Sequence, residues 1–194
     1  MRPPSSAIVG LTDPIKFTGD FEAFRPSPDR APPTVLQILP ALVSGGVERG
    51  TIEIVQALTS AGWRALVVSS GGPMVREVER AGGEHLSLPV HAKAPWRWRS
   101  NIDALTRIVK ERAVDLIHAR SRMPAWIALA ARGRTETPLV TTFHGRHPDT
   151  NPAKKIYNSV LTKGDRVIAI SHYTAGDIAQ RFNFDHDKLR IIQR

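Results

Sequence analysis

The sequence predicts an α/β domain built on a doubly wound, mostly parallel sheet. Short apolar, β-branched runs alternate along the chain with segments whose apolar residues recur at helical spacing. The runs are almost continuously apolar, which is typical of parallel strands that helices cover on both faces. Right-handed crossovers between such strands wind the chain over both faces of one sheet, as in Rossmann-like domains.

The length and composition fit one folded domain behind a leader. The chain has 194 residues and is 41% hydrophobic, which is enough for an ordinary core. Residues 1–33 hold seven of the 15 prolines and show no periodicity, so we expect a flexible, disordered leader there. The folded domain is then expected over residues 34–194.

The net charge of +9 lies entirely in the folded part, because residues 1–33 carry equal numbers of basic and acidic side chains. A basic domain favours an anionic partner, such as nucleic acid, acidic lipid headgroups or a phosphorylated small molecule. The absence of cysteine excludes disulfides and thiolate chemistry. The sequence has no apolar stretch of the ~20 residues that span a membrane. It also lacks an apolar N-terminal core of signal-peptide type, so we expect a cytoplasmic protein.

The first strand is predicted at residues 34–39, an apolar and β-branched run that ends at Pro40. A helix follows, because apolar residues recur at helical spacing from Ile52 to Leu58, and Gly62 ends it.

The same alternation continues to the end of the chain. Further strands are predicted at residues 65–69, 85–88, 114–118, 139–143, 166–170 and from 189 onward. Further helices are predicted at residues 75–81, 102–109, from about 124, around 156–160, and at 173–182. Glycine or proline residues separate most of these segments.

Tryptophan and arginine alternate over Trp96–Arg99, which we predict to be a loop before the helix at 102–109. Aromatic residues flanked by arginine suit the headgroup boundary of a membrane. Stacking on nucleic-acid bases and a plain surface loop are the alternatives.

The connection after the first strand carries the first signal of a site. It reads SGGVERG over residues 44–50. Glycines at the start of a helix let an anion approach the backbone N–H groups and the positive helix end. A tight turn without a ligand is the alternative, because the dinucleotide fingerprint G-x-G-x-x-G and the Walker lysine motif are both absent.

Residues that suit an anion also follow the other predicted strands. Ligands of a doubly wound sheet bind beyond the carboxyl ends of its strands. The segments expected at that edge are Ser44–Gly46, Ser70–Gly72, Arg120–Arg122, His144–His147 and Ser171–His172. They supply backbone amides, guanidinium groups and hydroxyl donors, which are phosphate-binding groups. Carboxylates are not expected to gather there, which argues against a two-acid hydrolase, and we expect no metal.

Four segments, taken in order, resemble the N-terminal half of family 4 glycosyltransferases. They read VLQILPALVSGGVERG at 35–50, VDLIHARS at 114–121, TTFHG at 141–145 and DRVIAIS at 165–171. The resemblance covers nearly all of residues 34–194 and looks most like the bacterial enzymes that build lipopolysaccharide core or related envelope glycans.

The resemblance implies the N-terminal half of a GT-B fold, in a retaining enzyme that uses a nucleotide-sugar donor and no bound metal. In that family the first domain mainly binds the acceptor, here a lipid-linked or polysaccharide acceptor of cell-envelope glycan synthesis. The resemblance assigns Gly45 and Gly46 to binding of the donor diphosphate, and His144 to the transferred sugar as the catalytic residue. Acceptor or phosphate contacts are expected, by location alone, at Arg120, Ser121 and Arg146.

The sequence stops where the family crosses into its second, donor-binding domain. We therefore expect sugar transfer to need that domain, or a second glycosyltransferase subunit, and we expect a peripheral contact with the inner face of the membrane. A non-catalytic module that binds a sugar nucleotide or an anionic glycan is the alternative. A nucleic-acid binder is disfavoured because the basic residues are dispersed, and a nicotinamide enzyme because the glycine spacing differs.

Overall fold

The computed structural model describes residue 26 and residues 31–91 and 95–193. The described part forms one sheet of seven parallel strands in the order β3-β2-β1-β4-β5-β6-β7. The strands are β1 (Thr34–Ile38), β2 (Arg64–Ser69), β3 (Glu84–Ser87), β4 (Leu116–Ala119), β5 (Leu139–Phe143), β6 (Arg166–Ala169) and β7 (Leu189–Ile191). This arrangement confirms the predicted fold class.

Helices connect the strands on both faces of the sheet. They are α1 (Gly46–Ser60), α2 (Val75–Arg80), α3 (Pro95–Glu111), α4 (Arg122–Thr135), α5 (Pro152–Asn158) and α6 (His172–Arg181). Two short 3₁₀ helices lie at Ser159–Thr162 and His186–Lys188. None of the helices in the described ranges is both long enough and apolar enough to cross a membrane. The expected leader lies almost entirely outside the described residues.

Two apolar clusters lie on opposite faces of the sheet. Side chains of α1, of α2 and of its N-cap Met74 pack on one face, at Ile52, Val55, Met74 and Val78. Side chains of α3, α4 and α6 pack on the other, at Leu105, Val109, Ile127, Ala131 and Ile178. The strands supply alternate residues to the two clusters, for example Leu66 and Val67 of β2, as strand geometry requires.

The predicted loop at Trp96–Arg99 is wrong, because these residues belong to the first turns of α3. Pro95 occupies the first helical position, where its missing N–H costs no hydrogen bond. The Trp98 ring then packs edge-on against Trp126 of α4, with ring centroids 6.5 Å apart. This contact fixes the first turns of the helix against its neighbour.

The fourth strand begins two residues later than the predicted start at Val114. The Val114 N–H donates to the Val109 carbonyl at 3.0 Å, so Val114 still closes the turn after α3. Asp115 directly precedes β4, and its side chain links this strand to the start of β1, because its Oδ2 accepts from the Thr34 N–H at 2.7 Å.

The strand order reverses between β1 and β4. The chain moves outward from β1 to β3, returns through α3 to β4, and then moves outward the other way to β7. In a doubly wound sheet the crevice beyond the carboxyl ends of such a strand pair is the usual ligand site.

Candidate functional site

A cleft of about 690 Å³ opens beside this crevice. Its lining consists of Gly46, Val47, Glu53, His144, Ile170 and Gln193. Gly46 and His144 were predicted separately, on the connections after β1 and β5, and the structure places both on the wall of one cleft.

The glycine pair forms the start of α1. Gly45 is the N-cap, at φ 137°, a backbone conformation that favours glycine. Gly46 is the first helical residue, and a Cβ built on it would meet no atom within 4 Å. The open space at Gly46 leaves the N-terminal turn accessible from the cleft, where backbone N–H groups and the helix dipole favour an anion.

Glu48 places a carboxylate at the same helix end. A Cβ built on Gly45 would lie 2.8 Å from Glu48 Oε2, so the carboxylate lies against the glycine pair. An acidic side chain in the first turn stabilises a helix through its dipole. An anionic ligand bound to this turn would share that positive potential with Glu48.

The second glycine pair, Gly71 and Gly72, follows β2 and was predicted at the same edge of the sheet. It packs against the loop after β1. Gly71 accepts from the Leu42 N–H at 2.8 Å, and the Leu42 carbonyl accepts from the Met74 N–H at 3.0 Å. Gly72 lies at φ 140°, and a Cβ there would be 2.2 Å from the Leu42 carbonyl oxygen. Gly72 is therefore required for a close backbone approach.

His144 follows β5 and lies close enough to His118 of β4 to affect it electrostatically, as does Arg120, which directly follows β4. His144 is half-buried, and its charge, together with that of Arg120, acts on His118. Burial first, and then these two charges, hold the pKa of His118 well below its usual value of 6.5. His118 is thus neutral at physiological pH, and its Nε2 is 2.7 Å from the Thr142 hydroxyl.

Arg120 is buried, with 3% of its surface exposed. Its Nη1 donates to Gln37 Oε1 at 3.1 Å, and Gln37 Nε2 donates to the Thr51 carbonyl of α1 at 3.0 Å. The guanidinium therefore connects the end of β4 to β1 and, through Gln37, to α1. The predicted direct contact between Arg120 and a ligand stays a prediction.

The other two predicted contacts lie outside the lining of this cleft. Ser121 is the N-cap of α4, and its carbonyl accepts from the Ala125 N–H at 2.8 Å. Arg146 is exposed, and its Nε lies 3.2 Å from Asp177 Oδ1 on α6. Their roles toward an acceptor or phosphate also stay predictions.

The loop between β5 and α5 is held by Arg181 of α6, which sequence reasoning missed. Its Nε donates to Asp149 Oδ2 at 3.1 Å, its Nη1 donates to Asp177 Oδ2 at 2.6 Å, and its Nη2 donates to the His147 carbonyl. The expectation that carboxylates stay away from this edge is wrong for Asp149 and Asp177. Both are paired with arginine, which compensates the cost of burying their charges. The i, i+4 spacing of Asp177 and Arg181 was the one signal in the sequence.

The same loop is also anchored to α4 and α5. Asn158 Nδ2 donates to Asp149 Oδ1 at 2.7 Å, and Arg122 Nη1 donates to Asn158 Oδ1 at 2.9 Å. Burial has the largest single effect and would raise the pKa of Asp149, but hydrogen bonds from Arg181 and Asn158, together with nearby positive charges, hold that pKa below its usual value. Asp149 is thus an ionised anchor of the loop that begins at His144.

Histidine and carboxylate side chains do not form a metal site in the described ranges, where no three of them come together as possible ligands. The arrangement beside the cleft consists instead of a helix N-terminus, a half-buried histidine and a buried guanidinium. Such groups can bind a phosphate and position an adjacent uncharged group.

Comparison with known proteins gives the family and the fold. Residues 44–194 match the family model described as Glycosyltransferase Family 4. A glycosyltransferase from Rickettsia africae ESF-5 is 38% identical with a TM-score of 0.75, over 85% of this chain and 44% of its own. No curated protein sequence matches the chain.

Two further solved structures share the fold at low identity. Alr3699/HepE from Anabaena, in complex with UDP-glucose, is 18% identical with a TM-score of 0.66, over 82% of this chain and 43% of its own. The lipopolysaccharide outer core galactosyltransferase WaaB is 15% identical with a TM-score of 0.61, over 83% of this chain and 45% of its own. The chain thus spans less than half the length of these three proteins.

Proposed function

The chain belongs to glycosyltransferase family 4, and we propose that it is the acceptor-side half of a retaining enzyme that transfers a sugar from a nucleotide-sugar donor. Its domain is one Rossmann-like half of a GT-B fold. In the reaction, the bond between the sugar C1 and the diphosphate oxygen breaks. A new bond joins C1 to an acceptor hydroxyl oxygen, and the hydroxyl proton is released.

The observation that carries this proposal is the shared cleft of Gly46 and His144. The leaving diphosphate gains negative charge as the C1–O bond breaks, and the N–H groups at the start of α1 stabilise it. His144 lies on the same cleft and positions the sugar next to that diphosphate. The cleft therefore holds a group for each side of the breaking bond, and no step of the proposal uses a bound metal.

The acceptor is proposed to be a lipid-linked or polysaccharide glycan of the cell envelope. The support is the sequence resemblance in residues 34–194, together with the fold shared with WaaB, a lipopolysaccharide outer core galactosyltransferase. A lipid-linked acceptor brings the enzyme to the inner face of the cell membrane, so a peripheral contact there is part of the proposal. The basic net charge of +9 suits the anionic lipids of such a surface.

Complete transfer is proposed to need a second domain or a second subunit. The support is the length of the solved glycosyltransferases, of which this chain covers 43–45%. The second half would close the cleft over the donor and supply the remaining contacts to the diphosphate. Closure of this kind excludes water from the reacting centre.

The experiment is a titration of the isotope-labelled chain with UDP-glucose, the nucleotide sugar bound by the Anabaena relative, followed by NMR. Amide shifts are expected at Gly46, Val47 and His144, and the variant Gly46→Ala should weaken them. Gly133→Ala is the matched control, because Gly133 is also a helical glycine with open space around its Cβ position. Absence of shifts at millimolar UDP-glucose and UDP-galactose, or equal weakening by both variants, would contradict the proposed donor site.

A non-catalytic module for a sugar nucleotide or an anionic glycan is the second candidate. The observation in its favour is that Gly46 and His144 already line one cleft within this single domain. Transfer assays separate the two candidates. An enzyme releases free nucleotide in proportion to glycosylated product once the second half is present, whereas a binding module leaves the nucleotide sugar intact.

A further inference from the structure

We propose that the N-terminal turns of α3, α4 and α5 form a docking surface for an anionic lipid bilayer. The surface, called here the aromatic–basic face, consists of three tryptophans, an isoleucine, a tyrosine and the basic side chains among them. Its members are Trp96, Arg97, Trp98, Arg99, Arg122, Trp126, Lys155, Ile156 and Tyr157.

The apolar part of the face is unusually exposed. Trp96 is 75% exposed, Ile156 is 65% exposed and Trp98 is 37% exposed, and they make up half of the large hydrophobic side chains exposed in the described residues. Scattered single apolar residues are ordinary on a protein surface, whereas a group of them marks an interaction site. Removing these side chains from water would be favourable for docking.

Contacts between the helices join these residues into one surface. The Trp98 and Trp126 rings meet edge to face at 6.5 Å. Trp126 Nε1 donates to the Tyr157 carbonyl at 3.2 Å, and the Arg122 guanidinium lies 5.5 Å from the Tyr157 ring centroid. The face is therefore continuous from α3 across α4 to α5, and the Trp98 and Trp126 rings are held against each other before any partner binds.

The charges of the face all favour an anion. The first turns of α3, α4 and α5 contain no acidic residue, although acidic residues are the ones that stabilise a helix start. Basic residues occupy these turns instead, at Arg97, Arg122 and Lys154. The first acidic residue of α3 is Asp103, which pairs with Arg134 at 2.5 Å. The dipoles of the longer helices α3 and α4 and these basic side chains thus add to one positive potential beside the exposed tryptophans.

The chemistry of the face fits a bilayer better than a nucleic acid. Tryptophan and arginine are favoured at the membrane interface, where a ring lies among the headgroups and the guanidinium meets phosphate. Ile156 is a highly exposed aliphatic residue, which inserts among acyl chains but offers no ring on which a base can stack. The Trp98 and Trp126 rings also pack against each other, which occupies surface that bases would need.

The position of the face suits the proposed reaction. α4 starts directly after β4, and α5 starts after the loop that follows β5, so the face borders the carboxyl edge on which the cleft opens. A bilayer bound there lies beside the cleft, within reach of a lipid-linked acceptor. The inference extends the proposed function, but lipid binding is measured without any sugar transfer, so the two can fail separately.

The experiment is vesicle co-sedimentation of the purified chain, with tryptophan fluorescence as a second readout. Vesicles of phosphatidylcholine alone are compared with vesicles containing phosphatidylglycerol. We expect sedimentation and a blue shift with the anionic vesicles only, weakened by added salt. Trp96→Ala should lower the partition coefficient by about tenfold, and Arg99→Gln by about fivefold.

Matched controls lie off the face. Tyr173 is 70% exposed on α6, so Tyr173→Ala removes an exposed aromatic ring elsewhere. Lys110 lies in the last turn of α3, so Lys110→Gln removes a charge from the other end of the same helix. The proposal is overturned by failure to bind the anionic vesicles or by equal losses in the control variants. It is also overturned if a single-stranded oligonucleotide competes for the same residues with higher affinity than the vesicles.

Discussion

Arg181 and Asp149 form an ion pair in which Nη2 lies 2.5 Å from Oδ2 and the side chains are only 17% and 16% exposed. The pair joins the last turn of α6 to the loop that begins at His144. The same guanidinium also binds the His147 carbonyl and Asp177 of its own helix, so one side chain fixes this loop at two points, Asp149 and His147. The position of His144 on the cleft therefore depends in part on a residue of α6.

Replacing Arg181 by Gln should destabilise the fold by about 3 kcal/mol, because it leaves the largely buried Asp149 without its cation and leaves Asp177 with only the exposed Arg146. Urea unfolding followed by circular dichroism measures this change. The control is Arg134→Gln, whose ion pair with Asp103 is more exposed, at 44% and 59%. A surface pair of that kind contributes roughly 0–1 kcal/mol. Equal destabilisation by the two variants would show that Arg181 is not a special anchor.

The sheet was predictable because each strand is an apolar run long enough to be recognised locally. Gly46 and His144 were predictable as well, since the residue after a strand lies at the carboxyl edge of a parallel sheet. The Arg181–Asp149 pair was not, because the two residues are 32 positions apart in sequence, and nothing local indicates how far the β5–α5 loop folds back.

The helical start of α3 could not be predicted from the sequence either, although the reason is different. Alternation of tryptophan and arginine over Trp96–Arg99 gives no clear helical periodicity, and the residues form a helix because Trp98 packs on Trp126 of α4. Tertiary packing of this kind overrides local propensity. The predicted loop was therefore wrong, although the exposed aromatic and basic side chains were found from the sequence.

Alanine should destabilise the fold at Gly72 but not at Gly46. Gly72→Ala should cost about 2–3 kcal/mol, because its Cβ would overlap the Leu42 carbonyl at a positive φ. Gly46→Ala should leave stability within about 1 kcal/mol of the original, because its Cβ position is open and alanine favours a helix. Thermal and urea unfolding of the two variants measure the difference. A folded, fully stable Gly72→Ala protein would contradict the close approach to Leu42.

Glu48→Gln should tighten binding of an anionic nucleotide at the start of α1. The carboxylate lies against Gly45 and shares the positive helix end with the ligand, so its neutralisation should lower the Kd for UDP by about two- to fivefold. Calorimetric titration with UDP measures this effect. Glu111→Gln, at the far end of α3, is the control for a general change in net charge. An unchanged Kd would place the diphosphate away from this helix end.

Stability should fall as the pH drops from about 6.5 toward 4. Burial first, and then the charges of Arg122 and Arg181, lower the pKa of His147 from 6.5 to about 4 in the folded state, with Asp149 and Asp177 opposing. In this range the unfolded chain takes up a proton at His147 that the folded protein does not bind, so protonation favours unfolding. The contribution is fully present above pH 6.5 and is lost as the pH approaches 4.

The measurement is the melting temperature at intervals between pH 7.5 and pH 4, for the original protein and for His147→Gln. Glutamine takes up no proton, so the variant should lose a few degrees less than the original over this range. The buried, neutral His118 contributes with the same sign in both proteins and cancels in the comparison. If the melting temperatures of the two proteins fell equally with pH, His147 would be as easily protonated in the folded protein as in the unfolded chain.

His144→Ala should lower kcat of the complete enzyme by about a hundredfold while changing the KM for the acceptor little. The residue lies on the cleft beside Gly46, where it would act on the sugar as its bond to the diphosphate breaks, and groups that act only in the transition state affect kcat. His172→Ala is the matched control, because His172 is an exposed histidine at the start of α6, on the same edge of the sheet. Steady-state kinetics with saturating donor measure both variants. A raised KM for the acceptor with an unchanged kcat would assign His144 to acceptor binding and remove its proposed role in the chemical step.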